Sequence, residues 1–136
     1  MIYGGNTYIQ NQFFAEIKLV KYLKNIDSTI VGISAGSINA ATTVFNSPKS
    51  EEDLKFPYIL KGLELTNLNI EPHFNKIDNI IQKEAIIKES YKRKLYGLVD
   101  GSYIFNNTIY GECYLIDKGQ IKLICENNKF VQIDKG

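Results

Sequence analysis

Residues 28–36 read Ser-Thr-Ile-Val-Gly-Ile-Ser-Ala-Gly, and this stretch decides the fold class that the sequence predicts. Its first six residues are uncharged and mostly β-branched or apolar, which is typical of a strand buried on both faces of a parallel sheet. Gly32 and Gly36 allow a tight turn around Ser34, and the small residues that follow through Thr42 allow a helix to pack closely on the sheet. The order of strand, sharp turn and helix predicts an α/β fold.

The segments on either side extend this pattern. Residues 1–3 form a short apolar stretch that we interpret as the end of a strand, and apolar residues at helical spacing predict a helix from about Thr7 to Lys24. Beyond the Ser34 turn we expect an exposed loop over residues 46–52, a strand over residues 68–71 and an amphipathic helix between Ile77 and Tyr91.

From Leu95 onward, short β segments alternate with turn residues, which predicts β-hairpins at the C-terminal end. The expected segments are residues 102–105, 108–110, 113–116 and 120–125. A chain of 136 residues with 44% hydrophobic content is long enough for one core, so we expect a single domain over residues 1–136.

Composition excludes several classes of function. The chain has 16 basic and 15 acidic residues, so it lacks the charge excess typical of proteins that bind nucleic acid or an anionic membrane. No apolar run is long enough for a membrane span. Cys113 and Cys125 are too few for a disulfide framework and lack metal-ligand spacing. We therefore expect a cytoplasmic protein with no metal and no cofactor.

Ser34 is the candidate nucleophile, because it is the central residue of a Gly-x-Ser-x-Gly pattern between a predicted strand and helix. A serine hydroxyl needs a base within hydrogen-bond reach and amide donors for the oxyanion. The amide of Ala35 is one expected donor. His73 is the only histidine and follows a predicted strand, so it is the candidate base. The alternative is that Ser34 occupies an ordinary glycine-rich turn and that His73 is structural.

Two further roles have more than one candidate. Glu51, Glu52 and Asp53 could each supply the carboxylate that orients the histidine, although three adjacent acids in a polar loop are also typical of solvated surface. A second oxyanion donor could come from Gly4 or Gly5, where the absence of a side chain allows the backbone to approach a ligand. An ordinary strand-to-helix turn is the alternative there.

Four motifs together resemble the peptidase E and cyanophycinase family of serine peptidases. They are Gly-Gly-Asn-Thr at 4–7, Gly-Ile-Ser-Ala-Gly at 32–36, Pro-His-Phe at 72–74 and Tyr-Gly-Leu-Val-Asp-Gly-Ser at 96–102. That family is similar in fold to class I glutamine amidotransferases. The resemblance therefore implies a three-layer α/β sandwich with a mainly parallel sheet, here shortened at its N-terminal side and followed by C-terminal β-hairpins.

The resemblance also implies roles for individual residues. Ser34 matches the nucleophile and His73 the base, while the amides of Gly5 and Ala35 match the oxyanion hole. Asn6 falls in the same motif and is a candidate substrate-binding residue. The acid should lie between the serine and the histidine, where Glu51 has the best spacing and Glu52 is the alternative.

The implied activity is hydrolysis of a small peptide through an acyl-enzyme, with an acidic residue such as aspartate beside the scissile bond. Arg93 is the only arginine, whereas the family usually carries arginines soon after the histidine motif. The alternative functions are therefore a relative that binds or sequesters a small ligand without turnover, and one half of a two-chain protein or a remnant of a truncated gene. Because family members have strands before the Gly-Gly-Asn motif, we expect a homo-oligomer or a partner chain that covers the exposed sheet edge.

Overall fold

The computed structural model describes residues 1–133 and contains both helices and strands, as the sequence predicts for an α/β protein. The helices are α1 (Thr7–Glu16), α2 (Leu19–Leu23), α3 (Ala35–Asn39) and α4 (Ile80–Glu89), with 3₁₀ helices at Glu52–Lys55 and Phe74–Lys76. The strands are β1 (Thr43–Phe45), β2 (Ile59–Lys61), β3 (Asn69–Glu71), β4 (Leu95–Leu98), β5 (Tyr103–Phe105), β6 (Thr108–Tyr110), β7 (Cys113–Asp117), β8 (Gln120–Cys125) and β9 (Phe130–Gln132).

Backbone contacts divide the chain into two compact units, the first comprising Met1–Asn69 and the second beginning at Ile70. The expectation of a single domain over residues 1–136 stays a prediction. Residues 134–136 at its end lie outside the described part of the chain.

In the first unit, α1 packs against α3, and β1 pairs with β2 in a two-stranded antiparallel sheet. Val44 on β1 and Leu63 just after β2 belong to the buried core of this unit. The predicted helix from Thr7 to Lys24 is wrong in one respect, because Lys18 adopts a left-handed conformation with φ 55° and ψ 45° that separates α1 from α2. A left-handed residue ends the regular hydrogen-bond pattern of an α-helix.

The expected buried strand at residues 28–33 forms only an isolated parallel bridge, between Gly32 and Ile2. The Ile2 amide donates to the Val31 carbonyl at 2.7 Å, and the Ile33 amide donates to the Ile2 carbonyl at 2.8 Å. This parallel contact leads directly into the turn at Ser34. It therefore supplies the strand part of the predicted order of strand, turn and helix, although it is shorter than expected.

The second unit contains a sheet in the order β3-β4-β7-β8 and a second sheet in the order β5-β6-β9. The hairpins that the turn residues predict are present, since β5 pairs with β6 and β7 pairs with β8. Leu95, Ile109 and Ile116 are almost completely buried and form part of its core. α4 begins at Ile80, three residues later than the first apolar position of the predicted helix.

The expectation of a mainly parallel sheet is not met in the described residues. The five strand pairs with an established register, β1–β2, β4–β7, β5–β6, β6–β9 and β7–β8, are all antiparallel. The isolated bridges Ile2–Gly32 and Ala41–Thr66 are parallel. Parallel strands need a long crossover connection, whereas β5 to β6 and β7 to β8 are joined by two-residue turns that permit only antiparallel pairing.

Candidate active site

Ser34 has an unusual backbone conformation, with φ 55° and ψ −115°, immediately before α3. A non-glycine residue with positive φ is uncommon, and such a conformation costs about 1–3 kcal/mol unless its surroundings impose it. Here hydrogen bonds on both sides fix the turn. The Gly36 amide donates to the Ile33 carbonyl at 2.9 Å, and the Ser37 amide donates to the Ser34 carbonyl at 2.9 Å.

The glycines around Ser34 are required by the space available. A Cβ added to Gly32 would lie 2.7 Å from the Gly36 carbonyl oxygen, and a Cβ added to Gly36 would collide with the Ile2 carbonyl oxygen. The backbone that enters the turn therefore packs directly on the backbone that leaves it. Ala35, the next residue after Ser34, is only 1% exposed, so the start of α3 is also tightly enclosed.

The loop that precedes α1 approaches Ser34 closely. A Cβ on Gly4 would lie 3.1 Å from the Ser34 Cβ and 3.4 Å from its Oγ, so a side chain at this position would press against the serine. Gly5 follows with φ 135°, a conformation that favours glycine. Asn6 then caps α1, because its Oδ1 accepts a hydrogen bond from the Ile9 amide at 2.9 Å. The first unit thus brings the Gly-Gly-Asn loop and Ser34 together.

A buried polar network supports α3 from behind. Asn39, at the C-terminal end of α3, is 0% exposed, and its Nδ2 donates to the Thr7 carbonyl at 3.1 Å and to the Gln10 Oε1 at 2.9 Å. Its Oδ1 accepts from the Asn11 Nδ2 at 3.1 Å, and that same Nδ2 donates to the Lys61 carbonyl at 2.6 Å. These hydrogen bonds connect the helix that follows Ser34 to α1 and β2.

His73 in the second unit is paired with a carboxylate that the sequence analysis did not select. Its Nδ1 lies 2.6 Å from the Asp100 Oδ1. The other carboxylate oxygen of Asp100 lies 2.9 Å from the Lys76 Nζ, and the Asp100 amide donates to the Asn75 Oδ1 at 3.0 Å. Both the side chain and the backbone of Asp100 are therefore held in place.

The ionisation of Asp100 determines which nitrogen of His73 acts as a donor. The hydrogen bond from Lys76, together with that from His73, lowers the pKa of the Asp100 carboxyl below its ordinary value. An ionised carboxylate only accepts hydrogen bonds, so the His73 Nδ1 must carry the hydrogen that joins them. In the neutral imidazole the lone pair then lies on Nε2, which is the arrangement that a general base requires.

Packing explains why His73 and Asp100 meet. Phe74 lies over β4 at Gly97, where an added Cβ would be 2.6 Å from the ring, and it contacts the Tyr114 ring with centroids 5.4 Å apart. This anchors the 3₁₀ helix next to the end of β4, and Asp100 lies two residues beyond that strand. Gly101 follows with φ 90°, so the chain turns immediately after the carboxylate.

The acids proposed from the sequence lie in the first unit. Glu51 and Glu52 are exposed at the start of the 3₁₀ helix Glu52–Lys55. Asp53 accepts a hydrogen bond from the Lys49 amide through its Oδ2 at 2.9 Å. The assignment of Glu51 or Glu52 to the site stays a prediction.

The sequence analysis did not select Asp100, because the family resemblance implies an acid between the serine and the histidine. A usable signal was present, since an aspartate directly after an apolar strand, inside a motif that also resembles the family, is a candidate for the site. The network around Asn39 gave no such signal. The sequence does not indicate whether an asparagine within a run of small residues is buried.

Cysteines and potential metal-ligating side chains are other reactive groups in residues 1–133. No group of three His, Cys, Asp or Glu side chains in that range could hold a metal ion. Cys113 is completely buried, and this burial, with a smaller contribution from Cys125, raises its pKa from 9.0 to about 12. Because the thiolate is the nucleophilic form of cysteine, this raised pKa disfavours a reaction of Cys113 at neutral pH.

Two comparisons bear on these observations. The sequence pattern that defines peptidase family S51 matches residues 1–109, which include the Ser34 turn, His73 and Asp100. Among curated proteins, none matches the chain at a significant level. Within residues 1–133, no helix is both long enough and apolar enough to cross a membrane.

Proposed function

The chain belongs to peptidase family S51, and from this premise we propose that it is a serine peptidase that cleaves short peptides through an acyl-enzyme on Ser34. The observation that carries the proposal is the backbone conformation of Ser34, φ 55° and ψ −115°, between a parallel strand contact and α3. This conformation supports a nucleophile elbow, in which a sharp turn would expose the serine hydroxyl.

In the proposed mechanism, the Ser34 Oγ attacks the scissile carbonyl carbon and its proton passes to the His73 Nε2. The same proton then goes to the leaving amine as the peptide C–N bond breaks. Water afterwards attacks the acyl-enzyme ester, again with His73 as the base, and releases the acid product and Ser34. The mechanism requires the Ser34 hydroxyl to come within hydrogen-bond reach of His73.

Two backbone amides are proposed to stabilise the oxyanion. The amide of Ala35 follows the nucleophile, and the amide of Gly5 belongs to the loop that approaches the Ser34 side chain. Amides fixed by backbone packing need no reorganisation when charge develops on the substrate oxygen. We propose that Asn6, the cap of α1, holds this loop in position and borders the substrate.

For the third member of the triad we propose Asp100 in place of Glu51 or Glu52. The support is the 2.6 Å hydrogen bond from His73 and the lowered pKa of the Asp100 carboxyl, which keeps it ionised. An ionised acid on Nδ1 fixes the tautomer of the histidine and stabilises the imidazolium that forms during the reaction.

We further propose a cytoplasmic location and an α/β sandwich of the family type. The first rests on Cys113 and Cys125, which are free although they lie opposite each other in the β7–β8 pair, as is typical of a reducing compartment. The second rests on the family membership, with the parallel contact at Ile2 and Gly32 as the local feature that agrees with it.

Hydrolysis of a panel of dipeptides tests the proposal. The wild-type protein is expected to cleave at least one dipeptide, and both Ser34→Ala and His73→Ala are expected to abolish that cleavage. Ser28→Ala, which changes an exposed serine, serves as the matched control and should retain full activity. Cleavage that persists in Ser34→Ala would contradict the proposal, and binding of a dipeptide without cleavage by the wild type would favour a ligand-binding relative.

A further inference from the structure

Three aromatic side chains form a row across the sheet β5-β6-β9. Tyr103, Tyr110 and Phe130 lie opposite one another in the pairing of β5 with β6 and of β6 with β9. The ring centroids of Tyr103 and Tyr110 are 4.9 Å apart with planes inclined by 18°, and those of Tyr110 and Phe130 are 6.2 Å apart. Aromatic pairs of this kind stabilise a sheet. At β5 the row ends with Tyr103, which is 56% exposed.

β5 is an edge strand, because within the described part of the chain it pairs only with β6. The two-residue turn of this hairpin makes Phe105 and Thr108 a hydrogen-bonded pair. Such pairs alternate with non-hydrogen-bonded ones along antiparallel strands, so the peptide N–H and C=O of Ile104 point toward the open edge. The same alternation is seen on the far side of β6, where the Ile133 amide donates to the Asn107 carbonyl at 2.6 Å.

The sequence around β5 lacks the residues that commonly protect an edge strand. Charged side chains and prolines prevent many exposed edges from pairing with another chain. Residues 101–110 contain neither a charged residue nor a proline. Phe105 is 50% exposed and lies on the same face of the sheet as Tyr103, because side chains alternate along a strand. A strand added at this edge would therefore meet open backbone groups and two exposed aromatic side chains.

We propose that β5 pairs with β5 of a second copy of this chain, antiparallel about a two-fold axis at Ile104, and that the two sheets join into one of six strands. The axis lies at Ile104 because its peptide groups face the edge, so the two copies exchange two hydrogen bonds there. Tyr103 of each copy then lies opposite Phe105 of the other copy. Each aromatic row gains a fourth ring, and the pairing brings no like charges together. This self-complementary register favours a second copy over an unrelated strand.

Sedimentation equilibrium of the full chain tests the pairing. The wild-type protein is expected to form a dimer. Tyr103→Lys should raise the dissociation constant of that dimer by about tenfold or more, because it removes an aromatic pair on each side of the axis. Phe130→Lys is the matched control, since it changes an exposed aromatic residue of the same row at the opposite edge of the sheet. It should leave the dissociation constant of the dimer unchanged.

Disulfide trapping tests the register. A mixture of the Tyr103→Cys and Phe105→Cys proteins should form a cross-linked dimer with oxidised glutathione, because opposite residues of a non-hydrogen-bonded pair have Cα atoms about 4.5 Å apart, within disulfide range. Each variant alone should cross-link far less, since its two cysteines would lie diagonally across the axis, about 7–8 Å apart. A mixture of Phe130→Cys with Phe105→Cys should not cross-link. The wild-type protein, with its buried Cys113 and Cys125, gives the background.

Each outcome supports or overturns the pairing. A wild-type monomer, which would leave the edge to a strand of a different protein, overturns it. A dimer that Tyr103→Lys does not weaken, or that Phe130→Lys weakens equally, also overturns it. Cross-linking of either cysteine variant alone as efficiently as in the mixture contradicts the register at Ile104. If Tyr103→Lys fails to fold by circular dichroism, Phe105→Lys replaces it with the same expected result.

Discussion

Asp100 has three polar neighbours, and each acts on a different part of the residue. His73 and Lys76 each contact one carboxylate oxygen, while Asn75 accepts from the backbone amide. A carboxylate held in this way cannot rotate without losing a charged partner, so it presents one oxygen to the His73 Nδ1. A carboxylate that accepts a hydrogen bond from Nδ1 fixes the histidine in the tautomer that a general base requires.

Replacing Asp100 by asparagine should separate the role of this acid from that of Glu51. Asp100→Asn keeps the shape but removes the charge and allows the wrong histidine tautomer, which in a serine triad lowers kcat on the order of 10⁴-fold. Glu51→Gln is the comparison variant and should leave kcat unchanged. Steady-state hydrolysis of a cleaved dipeptide measures kcat in both variants. A larger loss of kcat in Glu51→Gln than in Asp100→Asn would assign the acid role to the loop between Ser34 and His73.

The pKa of Asp100 should depend on Lys76. The hydrogen bond from Lys76 is the largest cause of the lowered pKa, so Lys76→Gln should raise the pKa of the carboxyl toward its ordinary value near 3.8. A lowered pKa in the folded state contributes stability above the unfolded value, and this contribution is lost as the pH falls through the folded value. An NMR titration of the Asp100 carboxyl carbon measures the pKa in each protein.

Lys83→Gln is the matched control for that titration, because Lys83 is an exposed lysine on α4. It should leave the pKa of the Asp100 carboxyl unchanged. An Asp100 pKa that is the same in wild type and Lys76→Gln would show that the lysine contact does not persist in solution.

At the scale of secondary-structure elements, the Ser34 turn and α3 depend on close packing of one backbone segment against another. Gly36→Ala should lower the free energy of unfolding by about 1–3 kcal/mol, because the added Cβ collides with the Ile2 carbonyl oxygen and forces the backbone apart. Ser28→Ala, in the same segment but exposed, should have no measurable effect. Urea denaturation measures both, and equal stability of the two variants would contradict the described packing.

Asn39 holds α3 through a second mechanism. Asn39→Ala removes the common hydrogen-bond partner of three groups, the Thr7 carbonyl, the Gln10 Oε1 and the Asn11 Nδ2. Unsatisfied buried polar groups cost about 1–3 kcal/mol each, so the loss in unfolding free energy should fall at least in this range. Thr42→Ala, which changes an exposed residue after the same helix, is the control in the same denaturation experiment.

The elements that the sequence predicted well carry local signals. Asn106-Asn107 and Asp117-Lys118-Gly119 mark turns by residue type, and the strands beside them follow. β1, β2 and β9, with three residues each, were not predicted. The interruption of the predicted helix at Lys18 is not marked by a glycine or a proline. The left-handed conformation of Lys18 therefore could not be predicted from residue type.

The residues of the candidate site also include some that the sequence identifies and one that it does not. Ser34 could be selected from its glycine flanks, and His73 because the chain has no other histidine. Asp100 follows His73 by 27 residues, and only the packing of Phe74 on Gly97 shows that the two side chains meet. Pairings that depend on such long-range contacts could not be deduced from residue type and spacing.

For the whole molecule, the exposed apolar surface bears on the expectation of a homo-oligomer or partner chain. Phe130, Ile121 and Tyr103 in the second unit are each more than half exposed, as is Ile9 on α1. Large exposed apolar surfaces are typical of interaction sites. We predict a solution mass of at least two chains of 15.5 kDa by sedimentation equilibrium. A monomer that unfolds cooperatively would contradict this prediction.

The central claim is that Ser34 is an activated nucleophile, and the most direct measurement is the site of covalent attachment of a fluorophosphonate. After incubation at neutral pH, peptide mass spectrometry should find the adduct on Ser34 of the wild-type protein, and the rate of its formation should fall by at least two orders of magnitude in His73→Ala. An adduct on another residue, or an unmodified Ser34 in a folded protein, would contradict the account.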